Sequence, residues 1–264
     1  MENRIEHAIR HSVNNVLDEI GILINKYNVK EIFDDSGTLM TGKWLTDLCN
    51  EIIKRGYNKK IKYSCNMRFG ALKQEDYNLM KKAGFRLLKF GLESANQKTL
   101  DRLNKGIKVG DIINGCRMAK KAGLTVHLTM IVGYPWETKQ DALKTFELAK
   151  KLMQSGDANL LQATVLIPYP GTPLFEECKN KDLLYSLDWS YYDMKNPVMK
   201  INYSSQELSS LVQGMYSVSF DPEFILRKII SIRSFDDIKY FWRAFLKVAG
   251  HIIDFKKKKH EHKK

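Results

Sequence analysis

Short apolar runs alternate along this chain with longer segments in which apolar residues recur every three or four positions. The runs are typical of buried strands, and the periodic segments are typical of helices with one apolar face. The pattern predicts five strands, Val29–Phe33, Ile61–Met67, Arg86–Phe90, Thr125–Gly133 and Leu160–Pro168. It predicts helices beginning near Ser12 and Trp44 and over Glu75–Ala83, Val109–Ala122 and Lys139–Met153.

Strands separated by helices imply right-handed crossovers and a parallel sheet, either doubly wound or closed as a barrel. The alternation stops before Trp189. We therefore expect an α/β domain over residues 1–188, a helical appendage over 189–255 and a basic, disordered tail over 256–264. Helix starts are predicted in the appendage at Ser204, where Glu207 completes a capping box, at Asp221 and at Ser234.

The net charge of +13 could attract nucleic acid or an anionic membrane. The tail alone, with six lysines and one glutamate, carries +5 of it. A basic amphipathic helix beginning at Ser234 could rest on a membrane surface, although packing on its own domain is the commoner arrangement. Nucleic-acid binding is disfavoured, because the strand–helix part lacks interleaved aromatic and basic motifs.

With no apolar stretch long enough to span a bilayer and no secretory signal, a cytoplasmic location is expected.

Polar residues follow the predicted strands. Asp34 and Asp35 follow the first strand and could hold a metal or an ammonium group, or form a turn that caps the next helix. Arg68 follows the second strand, as an anion clamp or as a surface ion pair. Glu93 and Ser94 follow the third. Because ligands bind at the carboxyl ends of parallel strands, these residues are candidates for one site.

Two glycine- and proline-bearing loops follow the last two strands. "IVGYPWET" places Gly133 where a ligand can approach the backbone, while Thr138 or Glu137 can support the next helix start. "IPYPGTPLF" forms a stiff loop that displays Tyr169. Each loop alone is compatible with a structural turn, but together the strand ends favour a binding edge.

The segments "FDDSGTLM", "FGLES", "IVGYPWET" and "LIPYPGTPLF", in this order, resemble the radical S-adenosylmethionine (radical SAM) superfamily. The similarity is to the branch that carries an upstream cobalamin-binding domain, and it covers about Ser12 to Glu176. It implies a partial (β/α) barrel with five of its six strands in this chain. It also implies a [4Fe-4S] cluster that cleaves S-adenosylmethionine to a 5′-deoxyadenosyl radical, on an unknown small-molecule or lipid-like substrate.

The resemblance also assigns residues to the S-adenosylmethionine site. Asp34 and Asp35 would lie near the methionine amino group. Glu93 and Ser94 would lie near the ribose and the methionyl part, with Gly91 allowing close approach. Adenine would be lined by three consecutive residues, Val132, Gly133 and Tyr134. Arg68 completes the predicted cofactor-binding set.

The family binds its cluster through CxxxCxxC, and the four cysteines here, at positions 49, 65, 116 and 178, show no such spacing. Cys49 and Cys116 instead occupy core-facing helix positions. We therefore expect the later part of such an enzyme, a fragment inactive without the cluster-binding segment, and cobalamin only in a full-length parent. The first strand would be left with an open edge, which predicts self-association or a complementing polypeptide. Two alternatives stay open: a catalytically dead scaffold, and a non-radical barrel enzyme using a metal at Asp34, Asp35 and Glu93.

Overall fold

The computed structural model describes residues 11–194, 197–217, 221–222, 225–226, 242 and 246. Five parallel strands form one sheet in the order β1–β2–β3–β4–β5. The strands are β1 (Glu31–Asp34), β2 (Lys62–Met67), β3 (Phe85–Glu93), β4 (Thr125–Val132) and β5 (Leu160–Val165). The helices are α1 (Val13–Asn25), α2 (Lys43–Lys54), α3 (Gln74–Lys82), α4 (Gln97–Arg102), α5 (Val109–Lys121), α6 (Lys139–Gln154), α7 (Pro173–Asn180) and α8 (Ser205–Ser217). The predicted α/β class with five parallel strands is confirmed.

Two helices were not predicted, and both are short. The first, α4, has six residues and begins after Asn96, whose side chain accepts a bond from the Lys98 amide. The second, α7, has eight residues and begins with Pro173 after the capping hydroxyl of Thr172. Segments this short contain too few turns to show an apolar periodicity. Only the capping residues at their amino termini indicate these helices in the sequence.

The contacts divide the chain into two compact units. Unit 1 is Met1–Phe90 with Arg117–Val126, and unit 2 is Gly91–Cys116 with His127–Lys264. Fully buried apolar side chains of α1, α2 and β3, among them Leu17, Leu48 and Leu88, belong to the core of unit 1. The core of unit 2 includes Leu128, Met130 and Ala149 from β4 and α6.

Unit 1 contains one end of the sheet. Strand β1 lies at the edge of the sheet order and pairs with β2 in parallel, from Glu31 opposite Lys62 to Asp34 opposite Cys65. Phe33 on this strand is 44% exposed, and the Lys89 ammonium lies 6.0 Å from the centre of its ring. An edge strand with an exposed aromatic side chain is a pairing surface, so self-association or complementation remains a prediction.

In the appendage, the start of α8 is confirmed. The Glu207 amide donates to Ser204 Oγ at 3.2 Å, and the Ser204 amide donates to Glu207 Oε2 at 2.9 Å, which completes the capping box. The Ile225 amide bonds to the Asp221 carbonyl, consistent with a helix start at Asp221. The helix predicted from Ser234 lies outside the described residues except at positions 242 and 246, and the tail 256–264 lies outside them entirely. No helix in the described part is long and apolar enough to cross a membrane.

Candidate functional site

In unit 1, the carboxyl end of β1 places two aspartates in local hydrogen bonds. Asp34 Oδ2 accepts from the Tyr63 hydroxyl at 2.8 Å, and its Oδ1 accepts from the Ser36 amide at 3.0 Å. Asp35 Oδ1 accepts from the Asn66 side-chain amide at 2.8 Å, and the residue is exposed. Arg68 directly follows β2 and is also exposed. The two aspartates are therefore oriented by residues of β2, with Asp35 facing solvent.

In unit 2, Glu93 ends β3 in an unusual backbone conformation. Its φ of +59° lies in the left-handed region, which costs a non-glycine residue energy and occurs both in turns and at functional sites. The Glu93 side chain is 12% exposed, and its Oε1 bonds to the Lys105 ammonium at 2.8 Å. A Cβ atom on Gly91 would overlap the same Oε1. Gly91 thus makes room for the Glu93 carboxylate, and the close approach of a ligand at Gly91 stays a prediction.

The next residue, Ser94, is fully buried and bonded within the protein. Its hydroxyl donates to Glu137 Oε1 at 2.6 Å and lies 3.4 Å from Thr145 Oγ1. The Ala95 amide donates to the same Thr145 oxygen at 2.9 Å. Ser94 therefore connects the end of β3 to α6 and to the β4–α6 loop, and in this conformation its hydroxyl faces protein groups.

Glu137 is the buried acid of this network, with 1% of its surface exposed. Burial raises the pKa of its carboxyl, while hydrogen bonds from Ser94 and Thr99 lower the pKa and Asp141 raises it further. Its carbonyl accepts from the Asn202 side chain at 3.2 Å. Sequence reasoning considered Glu137 only as support for the start of α6. The Thr138 side chain does cap that helix, because Thr138 Oγ1 accepts from the Asp141 amide.

The three residues predicted to line adenine end β4 and are all buried. Gly133 has φ of +91°, which explains the glycine, and its amide donates to the Tyr203 hydroxyl at 3.0 Å. The Val132 carbonyl accepts from the Leu166 amide at 2.8 Å. The loop backbone is therefore held from both sides by other segments of unit 2.

Tyr134 carries a hydroxyl that is buried without a hydrogen-bond partner among the described residues. Burial raises the pKa of this phenol above its ordinary value, and the nearby carboxylates of Glu93 and Glu137 raise it further. Its ring centre lies 5.2 Å from that of Trp136. An orphaned buried hydroxyl next to Glu93 marks a place where a polar ligand atom would gain a partner.

Trp136 is fixed by two contacts from α4. Its indole nitrogen donates to Thr99 Oγ1 at 3.2 Å, and the Arg102 guanidinium lies 4.0 Å from the ring centre. Arg102 also pairs with Glu177 of α7 at 2.8 Å. Sequence reasoning missed Lys105, Arg102 and Thr145, because the short helix α4 and the contacts with α6 and α7 left no pattern along the chain.

The cysteines do not fit an iron–sulfur cluster. All four are buried, and burial raises the pKa of the Cys49 and Cys116 thiols to about 12 and that of the others in the same direction. Such thiols stay protonated, whereas cluster ligands are thiolates. No group of three or more potential metal ligands occurs within the described residues. That leaves the divalent-metal alternative without a three-ligand site in this part of the chain.

The β3 and β4 ends of unit 2 do fit S-adenosylmethionine. Glu93 provides a carboxylate with a 12% exposed side chain, and a cationic, hydroxylated ligand needs such an acceptor. The unpartnered Tyr134 hydroxyl is a second polar group beside it. Ser94 could contact a ligand only by releasing Glu137.

Comparison with known proteins agrees with this chemistry. The Radical SAM superfamily profile matches residues 3–149. An uncharacterized methyltransferase of Pyrococcus horikoshii, PH0819, is 33% identical over 90% of this chain and 51% of its own length. The anaerobic magnesium-protoporphyrin IX monomethyl ester cyclase of Cereibacter sphaeroides is 32% identical over 70% of this chain and 30% of its own.

Among solved structures, the radical S-adenosylmethionine methyltransferase TsrM from Kitasatospora setae, with cobalamin and a [4Fe-4S] cluster bound, shares the fold. Its TM-score is 0.55 at 16% identity, covering 65% of this chain and 34% of TsrM. The chain thus spans about half the length, or less, of the curated relatives it matches. Because the superfamily profile covers more than half of the chain, this protein belongs to the radical SAM superfamily.

Proposed function

We propose that this chain is the S-adenosylmethionine-binding core of a radical SAM enzyme whose cluster takes its cysteine ligands from outside these 264 residues. The observation that supports the binding role most strongly is the arrangement in unit 2. There the strained Glu93 backbone and the orphaned Tyr134 hydroxyl lie beside a loop tied to the end of β3 by the bond between Ser94 and Glu137. The roles of Asp34, Asp35 and Arg68, which belong to unit 1, stay a prediction.

In this proposal, each residue of unit 2 has a stated task. Glu93 accepts hydrogen bonds from the ligand while Lys105 holds its carboxylate in place. Glu137 fixes the β4–α6 loop, so that the backbone of Val132 to Tyr134 keeps its shape around adenine. A cluster held by cysteines outside these 264 residues would supply the electron for cleavage of the sulfonium.

The binding proposal is tested by titrating the protein with S-adenosylmethionine in a calorimeter. Hydrogen bonds to a charged group contribute about 1.5–3 kcal/mol, so Glu93→Gln should weaken binding by roughly ten- to a hundredfold. The matched control is Glu51→Gln, which also removes a carboxylate that pairs with neighbouring basic side chains, but on α2 of unit 1. Absent binding in the unmodified protein, or equal weakening in both variants, would contradict the proposal.

The second part of the proposal concerns the cluster. Because the four thiols are buried and dispersed, anaerobic incubation with iron and sulfide should leave this chain without a four-iron cluster and without cleavage of S-adenosylmethionine. A polypeptide segment carrying three cysteines could supply the ligands, and the exposed edge of β1 offers it a strand to pair with. Uptake of four irons by this chain alone, with the charge-transfer absorption of a cluster, would refute this part.

The reaction class we propose for the assembled enzyme is methyl transfer with cobalamin as a further cofactor. The support is the sequence similarity to the methyltransferase PH0819 and the shared fold with cobalamin-bound TsrM. A reconstituted assembly containing this chain should transfer the methyl group of isotopically labelled S-adenosylmethionine, and should lose this transfer when cobalamin is omitted. Transfer that persists without cobalamin would remove this cofactor from the proposal, and absence of any transfer would restrict the proposal to S-adenosylmethionine binding.

A further inference from the structure

Unit 2 displays an unusual run of exposed aromatic and apolar side chains after α7, which we call the aromatic loop (Leu184–Met194). Trp189 is 68% exposed, and four further large apolar residues of this loop are exposed as well. They are Tyr185, Leu187, Tyr191 and Met194. Soluble proteins rarely leave a contiguous patch of this kind open unless something binds to it.

The aromatic loop is held in a defined shape. At its base, Leu184 forms an antiparallel bridge with the fully buried Met199, and the Tyr185 amide bonds to the Val198 carbonyl at 2.8 Å. Inside the loop, the Tyr192 hydroxyl donates to the Ser186 carbonyl at 3.1 Å. A surface that is already ordered loses little conformational entropy when a ligand binds.

Three aromatic rings of this region lie next to one another. Trp189 stacks on Tyr192 with ring centres 6.1 Å apart and planes 27° apart. Tyr192 in turn lies 6.4 Å from Tyr169, which belongs to the loop after β5. Because Tyr192 lies beside both neighbours, the three rings form one aromatic cluster. We call these three rings the aromatic platform.

The aromatic platform includes Tyr169 of the loop after β5, and the end of β5 pairs with the end of β4 at Val165 and Val132. The Leu166 amide donates to the carbonyl of Val132, one of the predicted adenine-lining residues, and the chain reaches Tyr169 three residues later. The Thr172 hydroxyl donates to the Tyr169 carbonyl at 2.6 Å and fixes this turn. The Val165 amide, at the end of β5, donates to the Met194 carbonyl of the aromatic loop at 3.4 Å.

The charge of the aromatic loop distinguishes between the classes of ligand that could bind it. The aromatic loop contains two aspartates, Asp188 and Asp193, and no lysine or arginine. Anionic lipid surfaces and nucleic acids bind through basic side chains, so neither is attracted here. Adjacent exposed rings instead match the face of a flat, conjugated molecule, because offset stacking of aromatic systems is favourable.

We propose that the aromatic platform of Trp189, Tyr192 and Tyr169 binds the substrate, and that this substrate is a small molecule with an extended planar, conjugated ring system. The proposal rests on the proposed function, since a substrate must lie near the bound S-adenosylmethionine. The ring stacks on the platform, and the exposed Tyr185, Leu187 and Tyr191 surround it with further apolar surface.

The test uses protoporphyrin IX as a flat probe and follows its absorption and fluorescence on titration with the whole chain. Trp189→Ala should weaken binding of the probe about tenfold, while Trp189→Phe, which keeps a ring, should restore most of the affinity. The matched control is Tyr27→Ala, because Tyr27 is an aromatic residue of unit 1 with 60% exposure, and this variant should bind the probe unchanged. Circular dichroism of each variant shows whether it is folded, and calorimetry shows whether it still binds S-adenosylmethionine. Together they distinguish loss of the platform from loss of the fold.

Equal affinity of the probe for the unmodified protein and for Trp189→Ala would overturn the proposal, as would equal weakening by Tyr27→Ala. Sedimentation that shows dimers dissociated by Trp189→Ala, without an effect on probe binding, would overturn it in favour of a second copy of this chain. Pelleting with neutral phosphatidylcholine vesicles, lost in Trp189→Ala without a change in probe affinity, would overturn it in favour of a lipid surface. If S-adenosylmethionine fails to bind the unmodified protein while the Trp189-dependent probe site persists, the proposed function fails and the platform stands as a binding surface.

Discussion

The two units hold the carboxylates at their strand ends in different ways. In unit 1, the carboxylates of Asp34 and Asp35 lie at a partly exposed end. Asp34 accepts bonds from the Tyr63 hydroxyl and the Ser36 amide, and Asp35 accepts one from the Asn66 side chain. In unit 2, the Glu137 carboxylate is buried and accepts bonds from two hydroxyl groups. Water can replace a lost partner in unit 1, whereas a buried network has no substitute. The strand ends of unit 2 should therefore be the more rigid.

The sharpest test of this contrast is removal of one acid from each unit. Glu137→Ala leaves the hydroxyls of Ser94 and Thr99 buried without their acceptor, and should lower the free energy of unfolding by about 3 kcal/mol. Asp35→Ala removes an exposed carboxylate and should change that free energy by about 0.5 kcal/mol or less. Urea denaturation of both variants measures the difference, and similar losses would remove the contrast between the units.

A second test concerns the space around Glu93. In Gly91→Ala the new methyl group would overlap Glu93 Oε1, so the pair with Lys105 must shift and the free energy of unfolding should fall by about 2 kcal/mol. Gly110→Ala is the matched control in the same unit, because nothing lies within 4 Å of its Cβ and alanine favours a helix. Thermal unfolding should show a lower midpoint for the first variant and an equal or higher midpoint for the second. Equal unfolding midpoints for the two variants would mean that the Glu93 side chain can move aside without loss of stability.

A third and weaker effect is expected in unit 1. Tyr63→Phe removes the hydrogen bond to Asp34, which should lower the free energy of unfolding by about 1 kcal/mol. Asp34 keeps its bond from the Ser36 amide, so the turn should persist. The same denaturant series gives the measurement. A loss as large as that of Glu137→Ala would show that unit 1 depends on its acids as strongly as unit 2.

The smallest expected signal is a dependence on pH. Because burial raises the pKa of Glu137 in the folded state, the folded protein holds this proton more tightly than the unfolded chain. Its contribution to stability is present below the unfolded carboxyl pKa of about 4.3 and is lost as pH rises through the raised folded pKa. In Glu137→Gln the decline over this interval should disappear, as measured by urea denaturation at several pH values. An unchanged slope would show that Glu137 is not the titrating group.

Much of the fold could be predicted from the chain alone, and the reason is local. Apolar runs such as Ile61–Met67 can be recognised by their spacing, and the glycines of "KKAGF" and "KKAGL" mark helix ends because the left-handed turn needs them. Gly84 and Gly123 indeed have φ of +92° and +78°. Short helices such as α4 escaped prediction, because six residues carry no usable period.

The sequence by itself determined the order of strands and helices, the superfamily motifs and the chemical types available at each strand end. Only the tertiary structure decided which of these groups face each other. Ser94 and Glu137 are 43 positions apart and bond at 2.6 Å, and Glu93 holds Lys105 where Gly91 leaves space. Local pattern records which residues a strand or helix needs, whereas burial and hydrogen bonding between distant segments depend on how the chain packs in three dimensions.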